Sequence, residues 1–183
     1  MSLPPSTSLD QSDAQTLKFV LDTLFEPCDT LKGYLIPLLF PKSYSSYSQL
    51  IETARTLLLD LFDKYSKDPA LKPTIDKIVS AHPRLGPPKN PNTKLSAHSS
   101  KEQAQLNADP VLAQKLVELN DLYEQTFPGL RFVVFVNGRS RDQIMENMNS
   151  RIKRNNINLE IQEAFNAMCD IALDRANKLQ HKL

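Results

Sequence analysis

The sequence predicts an all-α fold: a compact bundle of roughly seven to nine helices with one irregular extended segment near residues 130–138. Three observations carry this. Apolar residues recur at i, i+3, i+4 and i+7 through most of the chain. Capping residues stand just ahead of several of these stripes. Only one run, "FPGLRFVVFVNG" at 127–138, has strand chemistry, and a lone run has no second strand to pair with.

The elements follow in order. Residues 1–12, "MSLPPSTSLDQS", are polar and proline-containing and read as a flexible arm, ahead of a single domain over 13–180. Leu17, Val20, Leu21, Leu24 and Phe25 define a first amphipathic helix. Leu50, Ile51, Ala54, Leu57, Leu58, Leu61 and Phe62 define another. Between them, "LKGYLIPLLFPKSYSS" is apolar but interrupted by Pro37 and Pro41, which suits short helical turns under the longer helices. A short helix from about Pro69 or Pro73 to Ala81 turns Ile75, Ile78 and Val79 inward, and Pro83 ends it by disfavouring helical geometry at His82. "RLGPPKNPNTKLSAH" is then a loop.

The following helix opens at Ser99, with Glu102 at capping-box spacing, and Asp109-Pro110 offers a second start signal ahead of Leu112, Leu116, Leu119 and Tyr123. Ser140 and Gln143 again have capping-box spacing, opening a helix with Ile144, Met148 and Ile152 inward. Asn158 begins the last, whose stripe is Ile161, Ala164, Phe165, Met168, Ile171 and Ala172.

Composition narrows the function. Twenty-two Lys and Arg against twenty-one Asp and Glu leave a net charge of +1, so no overall field attracts nucleic acid or an anionic membrane. Four glycines and no Gly-rich turn argue against a phosphate-binding loop. Cys28 and Cys169 fall in no metal-like or redox-like spacing, which fits a reducing intracellular compartment. No His/Cys cluster has the spacing of zinc ligands, and no N-terminal apolar run resembles a signal peptide. The closing His181-Lys182-Leu183 resembles a variant of the Ser-Lys-Leu peroxisomal address, read by an import receptor; its plainer reading is a basic helix end.

Two polar residues fall on otherwise apolar faces. His82 lies seven residues after Ile75, and Arg175 seven after Met168. Arg151 is a rival to Arg175, three residues beyond Met148 on an inward face. Buried polar groups need a partner or a task. The structural reading makes His82 a helix-end imidazole bonded to a carbonyl, and Arg175 a snorkelling side chain. For Glu102, the capping box is already a complete explanation.

The blocks "HPRLG" at 82–86, "SSKEQ" at 99–103 and "FVVFVNGRSR" at 132–141, with Arg151, Glu160, Ala164, Ile171 and Arg175 after them, together resemble the 2-oxo-4-hydroxy-4-carboxy-5-ureidoimidazoline (OHCU) decarboxylases. The resemblance runs in order from Leu17 to Leu179. It implies an all-α enzyme, commonly a homodimer, that converts OHCU to S-allantoin and CO2 in urate degradation with no metal and no coenzyme. The family's catalytic histidine falls on His82 and its acidic partner on Glu102. Its substrate contacts fall on Pro83, Ser99, Gln103 and the backbone of Val134, Phe135, Val136, Asn137 and Gly138, and its C-terminal arginine on Arg175. A peroxisomal location follows from the same resemblance, with the cytoplasm as the alternative. Two other functions stay open: a non-catalytic helical interaction module, which predicts a large exposed apolar groove, and a diverged relative acting on another ureido or imidazoline compound.

Overall fold

The computed structural model describes residues 2–86, 96, 98, 100 and 109–180. Among them the fold is all-α, as expected, with seven α-helices, two short 3-10 helices and no strand. The α-helices are α1 (Ala14–Leu24), α2 (Asp29–Leu39), α3 (Tyr47–Tyr65), α4 (Lys72–Ser80), α5 (Pro110–Thr126), α6 (Arg141–Arg154) and α7 (Ile157–Gln180).

The caps explain where they start. Asp13 accepts from the Thr16 N–H, Ser46 from Gln49 and Asp109 from Val111, each satisfying an N–H that a first helical turn leaves orphaned. Ser140 and Gln143 form the reciprocal capping box. The box expected at Ser99 and Glu102 lies outside the described residues.

α7 is the centre of the bundle. Its buried residues, from Glu160 to Ala176, occupy more than one stripe, the pattern of a helix covered on several sides. α3 packs most extensively along it, and α1 and α4 also lean on it. Arg55 on α3 adds a polar tie, donating to the Asn166 carbonyl and side chain at 3.0 Å each and to Asp170 at 2.7 Å. α5 and α6 pair with each other, and α2 fills the space beside α3 and α4. No helix among the described residues is long and apolar enough to cross a membrane.

Two expectations need correction. Residues 4–11 of the expected loose arm are held in place: Ser6–Gln11 is a 3-10 helix, Leu9 is fully buried, Tyr47 donates to the Pro4 carbonyl at 2.7 Å, and Tyr44 N–H reaches the Ser6 carbonyl. One apolar side chain among polar neighbours is too little periodicity to announce this. Pro37 does not break its segment either, since α2 is continuous from Asp29 to Leu39. Proline removes one helical hydrogen bond there, in the last turn, while Leu31, Leu35 and Leu39 bury a full i, i+4, i+8 stripe.

Residues 130–136 form neither helix nor strand and lie between turns at 128–129 and 137–138, and the first of these turns depends on glycine. Gly129 has φ +89°, and a Cβ there would stand 2.3 Å from the Asp76 carboxylate. Gly129→Ala is therefore expected to destabilise by about 1–3 kcal/mol, the scale of a residue forced into a glycine conformation. In a chain this long that lowers the thermal midpoint by roughly 2–12 °C, readable by circular dichroism.

Candidate active site

His82 follows the last turn of α4. Its N–H reaches the Val79 carbonyl at 3.2 Å, closing the helix, and the residue is 6% exposed. The periodicity placed it correctly on the inner side beyond Ile75. Its own carbonyl accepts from Arg131 Nη1 at 2.9 Å, so the extended segment holds the turn that begins at His82-Pro83. Pro83 is half-buried.

Arg175 does not snorkel. It is 2% exposed, and Nη2 lies 2.8 Å from Oε1 of Glu26, itself 5% exposed; Nη1 approaches the Leu24 carbonyl at 3.5 Å. Three segments meet here: α7 supplies the arginine, the residues just past α1 supply Glu26, and Ser96 brings in a later part of the chain. Ser96 Oγ is 3.3 Å from the same Glu26 oxygen, and Ser100 N–H donates to the Ser96 carbonyl. Ser99, Glu102 and Gln103 lie outside the described residues.

Sequence reasoning missed Glu26. It stands in "FEPC", a connection between helices with no period to read, and its partner lies 149 residues away. The only available signal was a carboxylate directly after the buried Phe25.

Arg151, the rival arginine, is committed elsewhere. It is 4% exposed, with Nε 2.8 Å from Oε2 of the fully buried Glu160. Its guanidinium lies over the Phe132 ring at 4.5 Å, and Nη1 donates to the Val133 carbonyl. Tyr123 donates to the same Glu160 oxygen at 2.6 Å, and burial pushes its pKa well above the ordinary phenol value, which keeps it a donor.

Along the implied pocket wall, Val134 is 8% exposed, Phe135 and Val136 are half-buried, and Asn137 and Gly138 are exposed. Asn137 and Gly138 both have positive φ and make the tight turn into α6. The carbonyls of Phe135 and Val136 accept from Arg139, which fixes this stretch of backbone.

Neither cysteine competes as a nucleophile. Cys28 caps α2 by accepting from the Leu31 N–H, and burial pushes the Cys169 thiol up to about 12, so it is no thiolate near neutrality. Among the described residues no His, Cys, Asp and Glu cluster suits a metal ion.

The fold is an all-α bundle that withdraws a histidine and an ion-paired arginine from solvent. The model of the OHCU decarboxylase family matches residues 10–177, and the chain belongs to that family. A comparison with curated proteins gave no match. Membership implies a decarboxylase, a lyase of the urate-degradation route.

Proposed function

We propose that this chain decarboxylates OHCU to S-allantoin and CO2, using no metal and no coenzyme. The observation that carries the reading is the burial of His82 and Arg175 at the two described positions where the family resemblance places catalytic histidine and site arginine.

The substrate's own structure makes a coenzyme unnecessary. When the bond to the carboxylate breaks and CO2 departs, its electron pair forms a double bond to the neighbouring ring carbon, and the ring C=N nitrogen accepts the displaced pair and a proton. The resulting enol then returns its hydroxyl proton to solvent or protein while the ureido-bearing carbon takes a proton on one face. That second step sets the S configuration. His82 delivers or relays this proton; an ordinary imidazole titrates near 6.5, so both of its forms are accessible near neutrality. Glu102 holds the imidazole or the substrate's hydroxyl and ureido groups.

Arg175 orients the anion. Glu26 fixes its guanidinium at 2.8 Å, so the fork is set before substrate arrives. A firm grip on the leaving carboxylate would stabilise the ground state as much as the transition state, so its contribution falls on binding rather than on the chemical step. Arg151, stacked on Phe132 and bound to Glu160, is structural in this reading.

The test supplies OHCU in situ from urate with the two preceding enzymatic activities, and follows allantoin by circular dichroism. Rapid appearance of the S enantiomer only when this protein is added is the expected result. An unchanged, slow and racemic background would remove the decarboxylase reading. The resemblance also supports a homodimer, testable by sedimentation velocity. Peroxisomal import through His181-Lys182-Leu183 is testable by deleting the tripeptide and following the protein's location; an unchanged location would remove that part.

A further inference from the structure

The five residues from His82 to Gly86 leave α4 and are gripped along one face of α5. Gly86 has φ +89°, and a Cβ there would come within 3.2 Å of Leu116. One turn further along α5, Asn120 Nδ2 donates to the Leu85 carbonyl at 2.9 Å and to its own helix at the Leu116 carbonyl. Another turn on, Glu124 takes Arg84 in a bidentate grip, Nε to Oε1 at 2.9 Å and Nη2 to Oε2 at 2.6 Å, and Asp121 adds a contact at 2.8 Å. Leu116, Asn120 and Glu124 are spaced by four, so a single helical face meets the turn residue by residue.

The last member comes from beyond α5. Arg131 Nε lies 3.7 Å from Oε1 of Glu124, and its Nη1 donates to the His82 carbonyl. Burial is the chief influence lowering the Arg131 pKa from its ordinary value, with Arg84 acting in the same direction and Glu124 against it. The guanidinium is thus held at a desolvation cost in a place where it touches His82 through the backbone.

We propose that Arg131, anchored by Glu124 together with Arg84, is a positioning residue that sets the orientation of the His82 imidazole; this rests on His82 acting as the acid/base of the proposed decarboxylation. The physical route is short. Pro83 disfavours helical backbone at His82 and has no N–H to donate, so the carbonyl between them is the natural handle for orienting that peptide plane. Fixing the carbonyl fixes ψ at His82 and thereby the direction in which its Cα–Cβ bond points. Misplacing a reacting group by about 1 Å costs on the order of 10²-fold in rate.

The test is Arg131→Met, which keeps the apolar stem and removes the donors. The expected result is a kcat lower by about 10- to 100-fold with KM changed less than about 3-fold, a split that general loosening of the fold would not produce. Arg131→Lys, which keeps a charged donor, is expected to recover part of the loss. His82→Ala combined with Arg131→Met is expected to be no slower than His82→Ala alone, because Arg131 acts only through the imidazole. A wild-type kcat in Arg131→Met, or losses that multiply in the double variant, would overturn the proposal. Should Arg131→Met fail to fold, Glu124→Gln removes the anchoring charge with little change of shape, and an unchanged kcat there overturns it equally. Amide hydrogen exchange over residues 79–86 reads the grip without any turnover: exchange faster by about 10-fold in Arg131→Met supports it, and unchanged exchange refutes it. If the wild type makes no S-allantoin while exchange responds, the reaction was misassigned and the catalytic role of the grip falls with it.

Discussion

His82→Ala is expected to abolish enantioselective decarboxylation while leaving the helical circular dichroism signal intact. The two backbone bonds that close this end of α4 do not involve the side chain: His82 N–H to Val79, and Arg131 to the His82 carbonyl, both survive alanine. The loss of a buried side chain there is expected to cost about 1–2 kcal/mol, within the ordinary range for a point substitution. Its loss as an acid/base costs about 10²- to 10⁴-fold in rate. The two effects are separable in one preparation, by a thermal melt beside the allantoin assay. Wild-type turnover in the variant would return His82 to the role of a helix-end residue. Unfolding accompanied by loss of activity would make its task mainly structural. His82→Asn, closer in size and able to hydrogen-bond, then serves as the second variant: if it folds and turns over at the wild-type rate, the acid/base assignment is wrong.

The sequence could point to His82 because both of its signals are local. A stripe of Ile75, Ile78 and Val79 fixes the buried side of α4, and a proline fixes where that helix ends. The same holds for the helix starts at Asp109 and Ser140, where donor and acceptor are separated by two or three residues. The inward direction of Arg175 was readable in the same way, but what receives it was not. Glu26 lies between helices, outside any period, and only the folding of α1 against α7 brings it to the arginine. Arg84 shows the limit from the other side. In "HPRLG" it looks like a solvated loop cation, whereas α5 supplies two carboxylates that hold it at 10% side-chain exposure. Pro37 was misread because its cost is local and small in a last turn, while the burial that outweighs it is tertiary. The family resemblance, carried by short ordered blocks, assigns roles to residues that periodicity alone leaves ambiguous, Glu102 among them, which lies outside the described residues.

Glu160→Ala is expected to be the most destabilising single change among the polar residues, and for a reason unconnected with the chemistry. The carboxylate is 0% exposed and receives Tyr123 at 2.6 Å, Arg151 at 2.8 Å and Arg154 at 2.6 Å. Removing it leaves Arg151, 4% exposed, with only the more exposed Glu163 carboxylate at 3.0 Å in place of the buried oxygen it pairs with, and leaves the Tyr123 hydroxyl without its acceptor. Breaking one side of such a pair costs about 3–5 kcal/mol, enough to lower the thermal midpoint by roughly 6–20 °C. Arg154→Ala provides the contrast: its side chain is 34% exposed, solvent screens its pairing, and the expected loss is at most about 1 kcal/mol. If uncompensated charge is the cause, Arg151→Met combined with Glu160→Leu recovers much of the stability, since an apolar pair of similar volume leaves no charge stranded. A midpoint for Glu160→Ala within about 2 °C of wild type would show that the cluster is not what holds α5, α6 and α7 together. The kinetics decide the other question. Arg151 touches the extended segment only through the Val133 carbonyl and the Phe132 ring, so folded Glu160→Ala, assayed well below its midpoint, is expected to keep KM and kcat near the wild-type values. A raised KM in the folded variant would instead bring Arg151 into the site, and the choice of Arg175 over Arg151 as the site arginine would fail.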